Sequence, residues 1–432
     1  MKFYSTKRKV LPVGLKQAVL ESLPADNGLY MPEEIRQLPA DFFSKSLNWT
    51  FPEMAFEFAR TLMNGTIPDE VLKDIVYKTL SFDAPLKKIS KQLYCLELFH
   101  GPSLAFKDFG ARFMSRLMSY LTRDDDRLLD ILVATSGDTG GAVALGFLGT
   151  PGIRVTILYP KGKVSPLQEK QLTTLGQNIT ALEVDGSFDD CQRLVKTAFL
   201  DQELNKNYQL SSANSINIAR LIPQCFYYLR AWQQLEDKEA PIAMVVPSGN
   251  FGNITAGLIA HKMGLPIDRF VAANNANRVF HDFLQTGNYQ PMPSVSTVSN
   301  AMDVGAPSNF ERLNELFAGD LDAIRKMMSS YTYSDQETKT GIRNLWQDHS
   351  YQVCPHTAVA YLAAREFRNA HPHHSIIFQA TAHPAKFLEV VEAECGGKVE
   401  IPASLAVLQD HPKNAIPLSA DYAEFEAFLQ SR

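Results

Sequence analysis

The sequence predicts an α/β protein, and three observations support this class. Beyond residue 128, short apolar runs alternate with amphipathic stretches of roughly 10–15 residues, the pattern of βαβ units around a parallel sheet. Glycine-rich turns follow two of these runs. The composition, at 45% hydrophobic and 21% charged residues, is that of an ordinary globular protein. The length of 432 residues suits two or three structural units.

Residues 1 to about 90 are predicted to form a region of mixed short elements. Helical periodicity covers Pro52–Met63 and Pro68–Leu80, and turn signals recur at Asp26–Gly28, Met31–Pro32 and Asn64–Gly65. No low-complexity tract marks a flexible linker, so we expect a packed boundary near residue 90.

The elements beyond residue 128 are predicted to alternate strictly. The strands are Leu128–Thr135, Arg154–Tyr159, Asn178–Val184, Tyr208–Ser212 and Ile242–Pro247. The helices are Thr139–Gly149, Ser165–Leu175, Phe188–Leu200, Asn217–Leu235 and Gly252–Gly264. Ser187 is expected to cap the third of these helices. Pro223 is expected to kink the fourth or to delay its start.

Charge and cysteine content exclude several classes of protein. The chain has 42 basic and 47 acidic residues, so its net charge of −5 favours neither nucleic acid nor an anionic membrane surface. No apolar run approaches the ~20 residues that a membrane span needs. The five cysteines are scattered, which predicts reduced thiols, no metal site and a cytoplasmic location. The basic first twenty residues could be a transit peptide, but Pro12 and Gly14 would break a targeting helix.

Two glycine-rich turns stand where a predicted strand meets a helix. Ser136–Gly141 follows one strand and Ser248–Asn253 follows another. Neither matches a dinucleotide or P-loop fingerprint, and one such turn alone is usually only a turn. Because helix N-termini at the carboxyl ends of parallel strands favour anions, the two turns together favour a ligand with a phosphate and a carboxylate.

Lys107 lies in an apolar segment, His100–Gly110, between Phe106 and Phe109. On the residues alone, a surface lysine with a buried stem is slightly favoured. The alternative is a desolvated amine of lowered pKa, the state that forms Schiff bases with carbonyl compounds.

Four segments together resemble the threonine synthases of the fold type II group of pyridoxal-phosphate enzymes: His100–Gly110, Ser136–Gly140, Ser248–Asn253 and Thr381–Phe387. Phe3–Thr6 and Asp26–Glu33 resemble the small amino-terminal domain of that family. The resemblance implies two doubly wound parallel-sheet domains behind an amino-terminal domain at residues 1–90. The catalytic region would be 91–432, with a smaller α/β subdomain at about 110–215 and a larger one from the remainder.

The resemblance also implies how the cofactor, pyridoxal 5′-phosphate, is held. Lys107 would carry it as an internal aldimine, and Thr381 would face its pyridine nitrogen. The backbone N–H groups of the turn after the fifth strand would wrap its phosphate, at Gly249, Asn250, Phe251, Gly252 and Asn253.

The substrate of the resembled family is O-phospho-L-homoserine. Ser136 and Thr139 would bind its carboxylate, while Asn214, Ser215 and Arg220 would bind its phosphate, with Lys163 a weaker candidate. Asp138 is a departure, because many fold type II relatives have Asn there as a donor to the ring oxygen of the cofactor. Its role stays open.

The implied activity is a carbon–oxygen lyase reaction that gives L-threonine and phosphate, in a monomer or homodimer without nucleic-acid or membrane partners. One alternative is a phospholyase or a threonine or serine dehydratase that releases 2-oxobutyrate. A second is a catalytically silent binding module, against which an intact Lys107 argues.

Overall fold

The computed structural model describes residues 1–432, and its first 80 residues form a small antiparallel sheet and four helices. These elements are β1 (Lys2–Ser5), β2 (Val13–Gly14), α1 (Leu15–Glu21), β3 (Tyr30–Pro32), α2 (Phe42–Ser46), α3 (Phe51–Met63) and α4 (Asp69–Thr79). The strand order is β2-β1-β3. The positions of α3 and α4 confirm the two helices predicted from periodicity.

The next group of elements runs from residue 86 to residue 212. It contains β4 (Leu86–Ser90), β5 (Leu93–Glu97), α5 (Lys107–Leu121), β6 (Leu129–Ala134), α6 (Asp138–Phe147), β7 (Ile153–Pro160), α7 (Pro166–Thr173), β8 (Ile179–Asp185), α8 (Phe188–Leu200), α9 (Gln202–Asn207) and β9 (Gln209–Ser212). The alternation of strand and helix from β6 onward is the predicted one.

The remaining residues supply five strands and eleven helices. They are α10 (Ile218–Leu221), α11 (Gln224–Gln234), β10 (Ile242–Pro247), α12 (Gly252–Lys262), β11 (Arg269–Asn274), α13 (Val279–Thr286), α14 (Phe310–Leu316), α15 (Leu321–Met327), β12 (Met328–Thr332), α16 (Asp335–His349), α17 (Pro355–Ala370), β13 (Ser375–Ala380), α18 (Leu388–Cys395), α19 (Ala403–Gln409), β14 (Ile416–Ser419) and α20 (Tyr422–Gln430). Short 3-10 turns lie at Asn300–Met302 and Pro384–Phe387.

Two large sheets form the body of the protein. One sheet has five strands, all parallel, in the order β14-β8-β7-β6-β9. The other has six strands in the order β12-β11-β10-β13-β5-β4, and all but β4 are parallel. Every residue of β6 and of β10 is buried, as expected for parallel strands covered by helices on both faces. The two doubly wound sheets that the family resemblance implied are therefore present.

Individual strands were predicted only between residues 128 and 247, and two of the further strands change the expected sheets. β4 pairs with β5 in the antiparallel direction, so the six-stranded sheet is mixed at that edge. β14 comes from the end of the chain and pairs with β8, so the five-stranded sheet extends beyond the span of 110–215. Both are edge strands with little apolar alternation, which explains why periodicity missed them.

Local sequence signals fix several helix boundaries. The Ser187 hydroxyl accepts the N–H of Asp190 and forms a capping box at the start of α8, as predicted. Ser165 and Gln168 form a second capping box at α7. The helix predicted over Asn217–Leu235 is divided into α10 and α11, and Pro223 stands just before α11.

Three turns of the chain meet at one cleft. The turns after β6, β10 and β13 all leave the carboxyl ends of parallel strands, where open α/β sheets place ligands. Lys107 begins α5, after the loop that leaves β5 in the same sheet as β13. None of the helices combines the length and hydropathy needed to cross a membrane.

Arg312 on α14 joins the amino-terminal region to the rest of the molecule. It is fully buried and donates to the carbonyls of Tyr30 at 3.1 Å, Ser215 at 3.1 Å and Ile216 at 2.6 Å. No carboxylate pairs with it, and burial lowers its pKa to about 9. Arg312 therefore stabilises the fold by donating hydrogen bonds to buried carbonyls, and not through an ion pair.

Replacing Arg312 with Met should lower the free energy of unfolding by about 2–4 kcal/mol, because several buried carbonyls lose their donors at once. Urea denaturation followed by circular dichroism measures the change. Arg325→Met is the matched control, since Arg325 is exposed and caps the carbonyls of Leu284 and Gln285. Equal losses in the two variants would contradict the role given to Arg312.

Candidate active site

The turn after β10 leaves a set of backbone N–H groups without protein partners. None of the N–H groups from Gly249 to Asn253 donates to a protein acceptor, although neighbouring Ser248 and Ile254 are bonded. The turn opens α12, an eleven-residue helix whose dipole adds positive potential at this end. Such a concave array of donors suits a phosphate group.

The shape of this turn depends on two backbone positions. Phe251 has a φ of 62°, in the left-handed region, which bends the chain at this turn. A Cβ at Gly249 would lie 2.9 Å from the Ala301 carbonyl oxygen and 2.9 Å from the Met302 Cα. Any larger residue must push the turn away from that backbone. The Asn253 side chain donates to the Pro247 carbonyl at 2.8 Å and holds the turn to its strand.

Lys107 is positioned by a short backbone pairing between two distant segments. Phe106 N–H donates to the Thr381 carbonyl at 2.9 Å, and His383 N–H donates to the Leu104 carbonyl at 3.0 Å. An isolated antiparallel bridge joins Ala105 to Ala382 between them.

The amine of Lys107 reaches into the cleft without a hydrogen-bond partner. It lies 5.2 Å from the centre of the Phe106 ring. Burial lowers its pKa to about 8, with Asp138 opposing this change and Arg220 and Lys386 adding to it. The structure thus supports the alternative of a desolvated amine over that of an ordinary surface lysine.

The turn after β6 presents Asp138 and Thr139 to the same cleft. Asp138 is buried, and its Oδ1 accepts from Lys386 Nζ at 2.7 Å and from Gln168 Nε2 at 2.9 Å. Burial raises the pKa of Asp138, but Lys386 and its other partners outweigh that effect and hold the pKa below the ordinary value. Asp138 is therefore an ionised side chain turned toward a lysine.

Arg220 faces the cleft from α10 with donors to spare. Its Nη1 donates to the Ala213 carbonyl at 2.7 Å, whereas its buried Nε has no partner. Burial lowers the pKa of Arg220 to about 10, which still leaves the guanidinium charged at neutral pH. An unpaired, desolvated cation of this kind fits an anionic group of a ligand.

Asn214 and Ser215 lie between Arg220 and the turn after β10. Asn214 donates through its amide to the Ala134 carbonyl at 3.1 Å, and the Ser215 hydroxyl accepts from Asn309 at 3.2 Å. Both side chains also border a larger cavity of about 740 Å³ that adjoins the cleft and shares Asn250 with it. This larger cavity provides room for a substrate to approach.

Thr381 and His356 complete the wall of the cleft. The Thr381 hydroxyl makes no hydrogen bond within the protein, so it is free for a ligand. His356 Nε2 accepts the N–H of Ala301 at 3.1 Å. Burial lowers the pKa of His356 to about 4, so this imidazole is neutral at physiological pH.

The cleft brings together most of the residues singled out from the sequence. They are Lys107, Asp138, Thr139, Asn214, Ser215, Arg220, Gly249, Asn250, Phe251, Gly252, Asn253 and Thr381. Ser136, half-buried, opens the turn that carries Asp138 but does not line the cleft. Lys163 does not join them: it is exposed in the loop before α7. His356 and Gln224 line the cleft too, and no motif marks them in the sequence.

The arrangement fits a phosphate-bearing aldehyde. The unpaired N–H groups of the turn after β10 would hold its phosphate, the Lys107 amine is a nucleophile for its carbonyl carbon, and the Thr381 hydroxyl is free for a ring nitrogen. Arg220 supplies a second anion site on the same cleft. One amine between two anion sites suits a cofactor and a substrate that each carry a phosphate.

Models of three known families match this chain. The model of the pyridoxal-phosphate dependent enzymes matches residues 78–378. The model described as threonine synthase N terminus matches residues 2–80, and the one described as threonine synthase, C-terminal, matches residues 357–429.

Individual relatives match along the whole chain. The sequence is 41% identical to threonine synthase of Escherichia coli over 100% of both chains, and the crystal structure of that enzyme superposes with a TM-score of 0.94. It is 43% identical to threonine synthase of Haemophilus influenzae over 99% of both chains. A crystal structure of pyridoxal-phosphate-bound threonine synthase from Brucella melitensis is 35% identical over 100% of this chain and 99% of its own, with a TM-score of 0.93.

Gly249→Ala should weaken the binding of pyridoxal phosphate by about tenfold or more, because the added Cβ displaces the turn and costs at least one N–H bond to the phosphate. Equilibrium titration of cofactor-free protein, followed by visible absorbance, measures the dissociation constant. Gly397→Ala is the control, since a Cβ there meets nothing within 4 Å. Unchanged affinity in Gly249→Ala would show that the phosphate lies elsewhere.

Proposed function

The chain belongs to the threonine synthase family of pyridoxal-phosphate-dependent enzymes, and we propose that it converts O-phospho-L-homoserine and water into L-threonine and phosphate at the cleft around Lys107. The observation that carries the substrate assignment is the pair of anion sites on either side of one desolvated amine. The cofactor phosphate accounts for one of them, at Gly249–Asn253. Arg220 is left for a phosphate on the substrate.

We propose the following division of the binding residues. Lys107 holds the cofactor covalently, Gly249–Asn253 bind its phosphate through backbone N–H groups, and the Thr381 hydroxyl lies at its pyridine nitrogen. A neutral hydroxyl leaves that nitrogen largely unprotonated. Thr139 binds the substrate carboxylate at the start of α6, where the free N–H groups of the first helical turn favour an anion. Ser136 does not line the cleft and would have to move with the turn to join Thr139.

Asn214, Ser215 and Arg220 are proposed to bind the substrate phosphate. Arg220 is the only cation among them, and its Nη2 makes no hydrogen bond within the protein. Lys163, which is exposed, would have to move with its loop to reach this group, so we expect it to contribute little.

The reaction needs proton transfers at three carbons of the substrate. Bound pyridoxal phosphate supplies electron withdrawal, which makes the protons on carbons near the substrate amine acidic. The amine of Lys107, freed when the substrate binds, would take the Cα proton. A proton would then leave Cβ as phosphate leaves Cγ, and a proton would be added at Cγ. The hydroxyl of water would add at Cβ, the remaining proton of water would leave with the phosphate, and Cα would regain a proton.

The pKa of Lys107 suits this work. A group that both takes and returns protons is most efficient when its pKa is close to the working pH, and burial brings this amine to about 8. His356 is neutral and bonded to the backbone, and Asp138 is committed to Lys386. Lys107 is therefore the group that we assign to transfers at carbon.

Product analysis tests the proposed function. Purified enzyme supplied with O-phospho-L-homoserine should release L-threonine and phosphate in equal amounts, measured by amino-acid chromatography and a phosphate assay. Release of 2-oxobutyrate in place of threonine would instead favour a phospholyase or a dehydratase.

Arg220→Ala should keep the visible spectrum of the bound cofactor and lower kcat/KM for O-phospho-L-homoserine by roughly thirtyfold or more, because losing one partner of a desolvated charge pair costs about 2–5 kcal/mol. Steady-state kinetics with phosphate release measures the loss. Lys163→Ala is the control and should behave as the wild type does. A variant at Arg220 that loses the cofactor would show that the two anion sites are interchanged.

The capture of the cofactor should depend on pH with a midpoint near the pKa of Lys107. Only the neutral amine is nucleophilic, so the rate should rise about tenfold per pH unit below pH 8 and level off above it. Stopped-flow absorbance after mixing cofactor-free protein with pyridoxal phosphate measures this rate. Dividing by the rate with a free lysine derivative, after that rate is corrected for its own fraction of neutral amine, removes the titration of the aldehyde. A rate that still rises tenfold per unit between pH 9 and 10 would contradict a desolvated Lys107.

A further inference from the structure

A second buried lysine stands beside the cleft. Lys386 belongs to the 3-10 turn after β13, and its side chain has no solvent exposure. Its Nζ lies 2.7 Å from Asp138 Oδ1 and donates to the Ser103 carbonyl at 2.9 Å. The proposed reaction gives this lysine no task.

Asp138 is held at one oxygen and open at the other. Lys386 and Gln168 both donate to Oδ1, whereas Oδ2 accepts no hydrogen bond from the protein. Asp138 also lines the cleft that contains Lys107. The ion pair therefore orients the carboxylate with its unused oxygen available to the cleft.

The charges that face Lys107 come from four elements. Asp138 on α6 is negative, Arg220 on α10 and Lys386 on the turn after β13 are positive, and His356 on α17 is neutral because its Nε2 accepts a backbone N–H. Lys386 and Asp138 cancel each other at close range. Removing either one alone would leave an uncompensated charge in a desolvated site.

We propose that Lys386 is a positioning residue, which acts through Asp138 to keep the wall of the cleft beside the Lys107 amine electrically neutral. The inference rests on the proposed assignment of Lys107 as the residue that holds the cofactor. Under this proposal the function of Asp138 is to pair with Lys386, and Asp138 does not need to donate a hydrogen bond to the cofactor. It also explains why a lysine is buried near the end of the Thr381–Phe387 segment, where an apolar side chain would avoid the free-energy cost of burying a charge.

The signs of the two single changes are opposite. In Lys386→Met, Asp138 loses its counter-ion, favours the protonated form of Lys107 and raises the pKa of this amine. In Asp138→Asn, Lys386 loses its counter-ion, disfavours the protonated form and lowers that pKa. The double variant restores neutrality, so its Lys107 should titrate close to the wild-type value.

The test measures the pH midpoint for capture of pyridoxal phosphate by the full-length protein. The midpoint should move up by about one unit in Lys386→Met, move down in Asp138→Asn and return to the wild-type position in the double variant. In the loaded enzyme, the pH at which the visible absorbance band titrates should move in the same directions, since the nitrogen of Lys107 still carries the proton. Lys413→Met, which removes a lysine from a pair with Glu169 and Glu183 outside the cleft, should shift neither value.

Two results would overturn the proposal. One is a pair of single variants whose midpoints stay at the wild-type value or move in the same direction, since a purely structural ion pair behaves in that way. The other is a double variant that folds but keeps a shifted midpoint. If Lys386→Met does not fold, the double variant and Asp138→Asn still decide between the outcomes. Because the assay uses only the cofactor, it can succeed or fail independently of the substrate assignment.

Discussion

The geometry of the cleft depends on the short backbone pairing between the segment before Lys107 and the segment after β13. The bonds from Phe106 to Thr381 and from His383 to Leu104 join parts of the chain that are far apart in sequence. A backbone pairing fixes the position of a side chain more firmly than an unpaired loop does, because the pairing sets the register of the two segments. Lys107, Thr381 and Lys386 therefore share one site. The loop from β5 to α5 is held further by the Ser103 carbonyl, which accepts from Gln171 and Lys386.

A second constraint is the cost of burying charge. The cleft places Lys107, Arg220 and Lys386 close together, with Asp138 paired to Lys386 and the buried Asp108 nearby, and each buried cation is costly unless it is neutralised or paired. The structure meets this cost in different ways. Lys386 is paired, Lys107 gives up its proton near pH 8, and Arg220 remains charged with an unused donor. Buried ionisable groups with shifted pKa values of this kind are typical of functional sites.

The amino-terminal region supports the cleft indirectly, through hydrogen bonds to the segment that leads into α10. Asn217 donates to the Val19 carbonyl at 2.8 Å and to the Ser22 hydroxyl at 2.8 Å, and Ser22 in turn bonds Ser212. Arg312 holds the same loop from the other side through Ser215 and Ile216. The loop that carries Asn214 and Ser215 and leads into α10 is thus fixed by two separate parts of the chain. Changes in the amino-terminal region should reach the cleft through this loop.

The sequence by itself determined the α/β class, most strands and helices from β6 to α12 and the glycine turns at their ends, because these depend on local periodicity and on motifs that are contiguous in the chain. The assignment of Lys107 as the cofactor lysine depends on the family resemblance of its segment and stays a prediction. Edge strands such as β14 were not predicted from the sequence, since their partners come from distant segments. The position of His356 in the cleft and the pairing of Lys386 with Asp138 were not predicted from the sequence either. Whether Lys107 is a solvated lysine or a desolvated nucleophile was decided only by the tertiary structure, because desolvation and the sum of nearby charges depend on which distant residues surround the amine.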